Sequence, residues 1–167
     1  MIILRNFKSY SPTPRPAGLE FAAFTQSEDG IDWYEAQHLF SKETLKVVFD
    51  ETNKQVFITN TDVSFLFPID GASVAEIEWV KITEGESYLY DEVHNTLKVD
   101  ITAKHFIERK NRLSEITEEV DRLRDEVLTD LASEEDKQRF EALIKYRKAL
   151  LNTKITSTDI EWPTKPE

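Results

Sequence analysis

The chain of 167 residues is long enough for one domain or two small ones, and it has no cysteine, which excludes disulfide bonds and thiolate metal sites. Its 32 acidic residues outnumber its 21 Lys and Arg residues, for a net charge of -11, and residues 1–100 hold most of this excess, with 17 acidic and 8 basic residues. Such a surface repels phosphate, which disfavours nucleic acid as a partner. No apolar run approaches the about 20 residues that span a bilayer, so we expect a soluble intracellular protein with no membrane partner.

The N-terminal part begins with a proline-rich arm at residues 10–16, which we expect to be extended because proline cannot donate to a β-ladder. A short strand is predicted at 21–24. The clearest element is a hairpin whose strands run over 44–50 and 55–60.

Alternation in this hairpin predicts which side chains share a face. One face carries Leu45, Val47 and Phe49. The returning strand is expected to turn Val56 and Ile58 toward them. Val48 is apolar on the opposite face, so we expect the hairpin to be covered, at least in part, on both sides.

Further strand-like segments follow at residues 61–68, 73–80, 87–91 and 96–101. In the first of them, Phe65 and Phe67 are expected to belong to the core. In the second, Glu76 and Glu78 alternate with apolar residues, and we expect both carboxylates on a solvated face.

From residue 102 the apolar period becomes helical. Heptad positions hold Phe106, Leu113, Ile116, Val120, Leu123 and Val127. A second helix is predicted from Ser133 to Asn152. The spacing of Ser133 and Asp136 is close to the capping-box pattern at a helix N-terminus. The two helices form an antiparallel hairpin, and the 106–127 stripe packs either on the second helix or on another copy of the chain.

Trp162 lies in a C-terminal segment that cannot be helical, because Pro163 and Pro166 lack backbone donors and constrain the residues before them. An extended Trp-Pro tail is therefore predicted. The fold class is α+β: a β-rich N-terminal domain over residues 1–101, followed by a helical hairpin with its tail over 102–167.

No pattern in the sequence indicates catalysis, a metal site or a cofactor. His38, His94 and His105 are scattered, and no glycine-rich phosphate loop is present. Acidic pairs such as Glu84 and Glu86 are expected by chance in so acidic a chain. We therefore predict that the protein is not an enzyme.

Aromatic side chains are the candidates for partner binding, since tryptophan, tyrosine and phenylalanine are enriched in the cores of interfaces. The predicted contact residues are Trp33, Tyr34, Phe57, Trp79 and Trp162. For Trp33 and Trp162, a place in a core is an equally open alternative.

Two regions of the chain resemble the tail fibre assembly proteins of tailed bacteriophages, of the Mu-like type. The first comprises SEDGIDWYE at 27–35, TLKVVFDETN at 44–53 and VFIT at 56–59. The second comprises SEED at 133–136, YRKALLN at 146–152 and DIEWPTKP at 159–166. Between residues 81 and 113 the resemblance is slight.

The resemblance implies a chaperone that engages the C-terminal region of a trimeric tail fibre and assists its folding and assembly. It implies a location in the cytoplasm of the bacterial host, with the fibre tip of the virion as a second one. Two alternatives stay open. One is a structural adaptor that dimerises through the 106–127 stripe, and the other is an acidic mimic of DNA that inhibits a basic protein.

Overall fold

A computed structural model describes all 167 residues and divides into two compact units, unit 1 over residues 1–100 and unit 2 over residues 101–167. Unit 1 has eight short strands: Ile3–Leu4 (β1), Lys8–Tyr10 (β2), Phe24–Gln26 (β3), Leu45–Asp50 (β4), Val56–Asn60 (β5), Ala72–Ile77 (β6), Tyr88–Asp91 (β7) and Thr96–Val99 (β8). It also has a four-residue helix, Trp33–Ala36 (α1), and two 3₁₀ turns, Gln37–Leu39 and Val63–Phe65. Unit 2 has two long helices, Ile101–Leu128 (α2) and Glu134–Asn152 (α3).

The main sheet has four strands in the order β1-β6-β4-β5, and every neighbouring pair is antiparallel. Two further antiparallel pairs, β2–β3 and β7–β8, complete the strands of the unit. The mostly antiparallel architecture and the β4–β5 hairpin are therefore confirmed. The strand predicted at 21–24 instead spans Phe24–Gln26, and Phe21 is fully exposed.

The sheet buries apolar side chains on both faces, as the hairpin pattern predicts. On the face that we call the Trp33 face, Val48 and Val74 pack in one cluster with Phe7 and Trp33. On the opposite Tyr90 face, Val47, Phe49, Ala75 and Ile77 pack in a second cluster with Tyr90. Since successive side chains of a strand point to opposite sides, β4 and β6 supply residues to both clusters.

The prediction that Val56 and Ile58 share a face is wrong, because the β4–β5 ladder contains an irregularity. Val56 pairs with Phe49, whereas Ile58 pairs with Val48, and the register shifts between these two pairs. Directly opposed residues share a face, so Val56 lies on the Tyr90 face and Ile58 on the Trp33 face. The extra residue on β5 is Phe57.

Glu76 is buried on the Trp33 face and not solvated as predicted. Its carboxylate accepts hydrogen bonds from the Ser41 amide and the Thr44 hydroxyl, each at 2.7 Å. Directly opposite on β4 stands Lys46, which is also buried. Its ammonium donates to the carbonyl oxygens of Thr44 at 2.9 Å and Thr61 at 2.8 Å, and also to that of Ser41. Burial lowers the Lys46 pKa, and the opposing Glu76 charge offsets part of this effect.

Unit 2 contains the predicted pair of helices, and α3 begins with the predicted capping box. The Ser133 hydroxyl accepts a hydrogen bond from the Asp136 amide at 3.1 Å, and the Asp136 carboxylate accepts one from the Ser133 amide at 3.2 Å. The helix ends at Asn152, as predicted. Such a cap satisfies amide groups that the first turn of a helix would leave unpaired.

The apolar stripe of α2 packs on α3 within the same chain. Ile116, Val120 and Leu123 are buried against Leu143, Tyr146 and Leu150. Of the six heptad residues, Phe106 stays more than half exposed. The middle of the stripe, through which the alternative adaptor would dimerise, is therefore already covered by this chain's own second helix.

Candidate functional site

Trp33, one of the five predicted contact residues, lies fully inside unit 1. It opens α1 behind Asp32, whose carboxylate accepts a hydrogen bond from the Tyr34 amide at 2.8 Å. The Trp33 indole Nε1 donates to the carbonyl oxygen of Leu66 at 2.9 Å, and the Phe7 ring packs edge-on at 5.5 Å. A fully enclosed side chain has no area to present to a partner, so Trp33 acts as a core residue of unit 1.

Tyr34 is the surface neighbour of that buried tryptophan, with 38% of its area exposed. Its ring packs edge-on against Phe24 at 5.5 Å, and its hydroxyl donates to the Ala23 carbonyl oxygen at 3.0 Å. Nearby, the Tyr10 hydroxyl donates to Asp32 at 2.8 Å. Burial, with a further contribution from the Asp32 carboxylate, raises the pKa of Tyr10 to about 12. Tyr34 is therefore held in a fixed orientation at the surface.

Phe57 lies on β5, an edge strand of the main sheet, and 49% of its side chain is exposed. Its neighbour Ile58 is 44% exposed. The paired β4 residues Val48 and Phe49 are fully buried, so β5 is backed by the core and faces solvent on its outer side. Large apolar side chains on a rigid edge strand are suited to binding another chain.

Trp79 is the most exposed of the three tryptophans, at 63%. It is the second residue after β6, and the next residue, Val80, packs against the core of the Tyr90 face. The backbone on both sides is thus anchored while the indole ring stays in solvent. An exposed tryptophan on an anchored backbone is the kind of side chain that dominates binding energy in interfaces.

The expectation that Phe65 and Phe67 belong to the core is wrong. Phe65 is 72% exposed, and Phe67 and Ile69 are also exposed. Within this segment Leu66 and Pro68 are the buried residues, and the chain forms a 3₁₀ turn at Val63–Phe65 in place of a strand. The Asp62 carboxylate caps this turn by accepting a hydrogen bond from the Ser64 amide at 2.9 Å. The Asp62–Ser64 pair is the signal in the sequence that indicates this cap.

Glu51, Asp91 and Glu92 of unit 1 are engaged in ion pairs. Arg5 and Lys54 each contact both Glu51 and Glu92, with Arg5 to Glu51 at 2.7 Å and Lys54 to Glu92 at 3.2 Å. These contacts tie β1 to the turns of the β4–β5 and β7–β8 hairpins. Neighbouring cations and the Ser73 hydroxyl lower the Glu51 pKa, although burial opposes this. Carboxylates that are paired with cations in this way cannot reproduce the row of free negative charges that a mimic of DNA requires.

A cleft of about 520 Å³ lies beside the buried Lys46, with Gln37, His38, Asp62 and Val63 among its lining residues. All three donors of an ammonium group can be used at once, and Lys46 directs its own at backbone carbonyl oxygens. The buried charge therefore fixes the surrounding loops and offers no free donor to a ligand.

In unit 2, Trp162 packs against the apolar cluster that joins the two helices. The guanidinium of Arg112 lies over its ring, with 5.2 Å from the guanidinium carbon to the ring centre, and the His105 ring meets it edge-on at 6.2 Å. No helix or strand is present after Asn152. Trp162 is therefore half-buried on its own helices.

Arg139 provides a second attachment for the last residues of the chain. Its guanidinium forms an ion pair with Glu119 of α2 at 2.7 Å and donates to the carbonyl oxygens of Pro166, at 2.9 Å, and Glu167. The Arg139 charge lowers the Glu119 pKa. One α3 side chain thus links both helices to the C-terminal segment.

No group of three or more His, Asp or Glu side chains is arranged to hold a metal ion. Neither long helix is apolar enough over a sufficient length to cross a bilayer.

Comparison with known proteins identifies the family. The family model described as "Caudovirales tail fibre assembly protein, lambda gpK" matches residues 35–167, which is most of the chain. The chain belongs to this family. The resemblance seen in the sequence is confirmed, and with it a role in tail fibre assembly.

Individual members of the family agree with this assignment. The chain is 30% identical to "Tail fiber assembly protein U" of Escherichia phage Mu, with both chains covered in full. It is 29% identical to "Probable tail fiber assembly protein" of Escherichia phage P2, over 84% of this chain and 83% of that protein. A third relative, "Tail fiber assembly protein U'" of Escherichia phage Mu, is 28% identical over the same shares.

Within this family assignment, the matched range includes Phe57, Trp79 and Trp162 and begins immediately after Tyr34. Three of the five predicted contact residues therefore lie in the part of the chain that the family model describes. Of these three, Phe57 and Trp79 are largely exposed, whereas Trp162 packs on α2 and α3.

Proposed function

We propose that this member of the family is a tail fibre chaperone that binds the C-terminal region of the fibre chain and assists its folding and trimer assembly. The observation that carries the proposal is the exposure of Trp79 and Phe57 on a β unit whose main sheet is packed on both faces. Single exposed apolar residues are common on protein surfaces, but tryptophan and phenylalanine are the residue types that are enriched in the cores of interfaces.

The contact surface that we propose consists of Tyr34, Phe57 and Trp79 in unit 1, and the exposed Phe65 and Phe67 add apolar area to the same unit. A fibre chain that has not yet met its two partners exposes apolar surface and unpaired strand edges, and such surfaces aggregate. A chaperone with aromatic side chains on a rigid support covers these surfaces until trimerisation buries them.

The acidic charge of the chain supports the same role. A net charge of -11 keeps a complex with an aggregation-prone chain in solution through mutual repulsion. We propose that this activity takes place in the cytoplasm of the bacterial host during particle assembly. Mass spectrometry of purified particles decides whether the protein also stays at the fibre tip.

Co-expression tests the proposed function. The candidate fibre gene is expressed with and without the gene of this chain, and soluble trimeric fibre is quantified by gel filtration with light scattering. We expect abundant soluble trimer and a stable complex in the first case, and mostly insoluble fibre in the second. Equal amounts of soluble trimer in both cases would contradict the proposal.

A further inference from the structure

The outer side of β5 is an open edge of the main sheet. The other edge strand, β1, has two residues, whereas β5 has five. The start of β5 is closed by the bridge between Gln55 and Leu89 and by the hydrogen bond from the Tyr90 amide to the Lys54 carbonyl oxygen, at 2.8 Å. No backbone hydrogen bond joins residues 57–60 to any segment other than β4.

Apart from the irregularity at Phe57, this edge lacks the sequence features that usually protect an exposed strand. Natural proteins place lysine, proline or inward-pointing charges on such edges to prevent pairing with other chains. The β5 sequence, VFITN, has no charge and no proline, and four of its five residues are of types that favour strands. The irregularity at Phe57 disturbs the ladder at one position and leaves the remaining residues in strand conformation. An edge of this composition is a predicted site of strand pairing.

The unpaired backbone groups of this edge favour a partner in extended conformation. Backbone donors and acceptors that face outward along a strand are matched by another strand, which provides the complementary groups at the same spacing. Phe57 and Ile58, each nearly half exposed, add apolar contacts for the side chains of the added strand. The helical face of a partner would leave these backbone groups unpaired.

Charge distinguishes between two possible occupants of this edge, which are the β5 strand of a second copy and a strand from another protein. Residues 1–100 hold 17 acidic and 8 basic residues, a net charge of -9, so edge-to-edge pairing of two copies would bring two negative units together. A neutral or basic strand from another protein meets no such repulsion. Since the chain serves tail fibre assembly, the fibre chain is the partner available to supply that strand.

We infer that the outer edge of β5, at residues 57–60, binds an extended strand of the fibre chain, of neutral or basic composition, as an added strand of the main sheet. This inference rests on the proposed function and specifies how the fibre is held.

Hydrogen exchange tests the added strand directly. The whole chain, labelled with ¹⁵N, is compared alone and in the complex obtained by co-expression with the fibre, and amide exchange is followed for residues 57–60. In an added strand, the outward amides exchange at least about tenfold more slowly in the complex. A complex that forms while these amides exchange as in the free chain overturns the inference and leaves the proposed function intact. If the wild-type chain forms no complex with the fibre, both are overturned.

A matched pair of variants provides the second test. Phe57→Lys places a charge on the edge, and Phe21→Lys makes the same change at a fully exposed residue outside the main sheet. We expect the first to weaken the fibre complex at least about tenfold and the second to leave it unchanged, with melting temperatures of both close to that of the wild type. Equal complex formation by both variants overturns the inference. So does slowed exchange at 57–60 that appears in the chain alone as its concentration rises, since this assigns the edge to a second copy.

Discussion

The ring centre of Trp162 lies 5.2 Å from the guanidinium carbon of Arg112, so the C-terminal segment is held against the first long helix by a cation–π contact. Arg112 itself is oriented by Glu108, one helical turn earlier, at 2.8 Å. The Trp162 ring is therefore packed inside unit 2. It stabilises the helical pair, and we assign the fibre contacts to the aromatic residues of unit 1.

Substitution of Trp162 by alanine is expected to lower the stability of unit 2. The change removes half-buried aromatic area and the contact with Arg112, together about 2 kcal/mol. Urea unfolding followed by the helical circular dichroism signal measures this loss. As a control, Leu151→Ala on the exposed side of α3 should have little effect, since 54% of that side chain is exposed. Equal losses of stability for the two substitutions would show that Trp162 stabilises unit 2 no more than an exposed residue does.

Two glutamates that are two residues apart should lose very different amounts of stability on the same substitution. Glu76→Ala leaves the Ser41 amide and the Thr44 hydroxyl without their acceptor and the buried Lys46 without its opposing charge. We expect a loss of at least about 2 kcal/mol in the free energy of unfolding. Glu78→Ala, at an exposed position, should stay within about 0.5 kcal/mol of the wild type. Thermal unfolding of both variants at one pH checks the difference, and similar losses would contradict the assigned role of Glu76.

The same pair shows where prediction from sequence reaches its limit. Alternation correctly placed Val47 and Phe49 on one face, because that pattern depends only on neighbours along the strand. It could not show that Glu76 is buried, because the groups that bind its carboxylate come from Ser41 and Thr44, more than thirty residues earlier. Burial of a charge is decided by such non-local partners.

The errors at β5 and in the 61–68 segment have a different cause. The extra residue at Phe57 moves the following side chains of β5 to the opposite face of the sheet. The pattern of apolar residues does not reveal such an insertion of one residue in a ladder. In the 61–68 segment a 3₁₀ turn exposes Phe65 and buries Leu66. The caps were easier to predict, since Ser133 and Asp136 act within one helical turn of each other. The exposure of Phe57 and Phe65 depends on the irregular ladder and the 3₁₀ turn, and so it could not be predicted from the sequence.

Asp91 should make the stability of unit 1 depend on pH in the acid range. Its hydrogen bond from Lys98, at 2.7 Å, together with the contact to His94, lowers the pKa of Asp91 from 3.8 to about 2. A lowered carboxyl pKa adds stability above the unfolded value, and this contribution disappears as the pH falls from about 4 to about 2. The stability difference between the wild type and Asp91→Asn should therefore shrink as the pH falls from about 4 toward 2. Urea midpoints measured across this range check it, and a pH-independent difference would show that the carboxylate charge plays no part.

Trp79→Ala should weaken binding of the fibre without weakening the fold. The indole ring is 63% exposed, whereas the adjacent Val80 holds the backbone to the core of the Tyr90 face, so truncation removes surface area and leaves the packing intact. Loss of an aromatic residue at the centre of an interface commonly costs 2 kcal/mol or more, about thirtyfold in affinity. The affinity of the purified chain for the fibre's C-terminal region, measured by calorimetry, should fall by about this factor while the melting temperature stays the same. Phe21→Ala, another exposed aromatic residue of unit 1, is the control and should bind as the wild type does. Unchanged affinity of Trp79→Ala would remove this residue from the contact surface, and a lowered melting temperature would show that it acts through the fold.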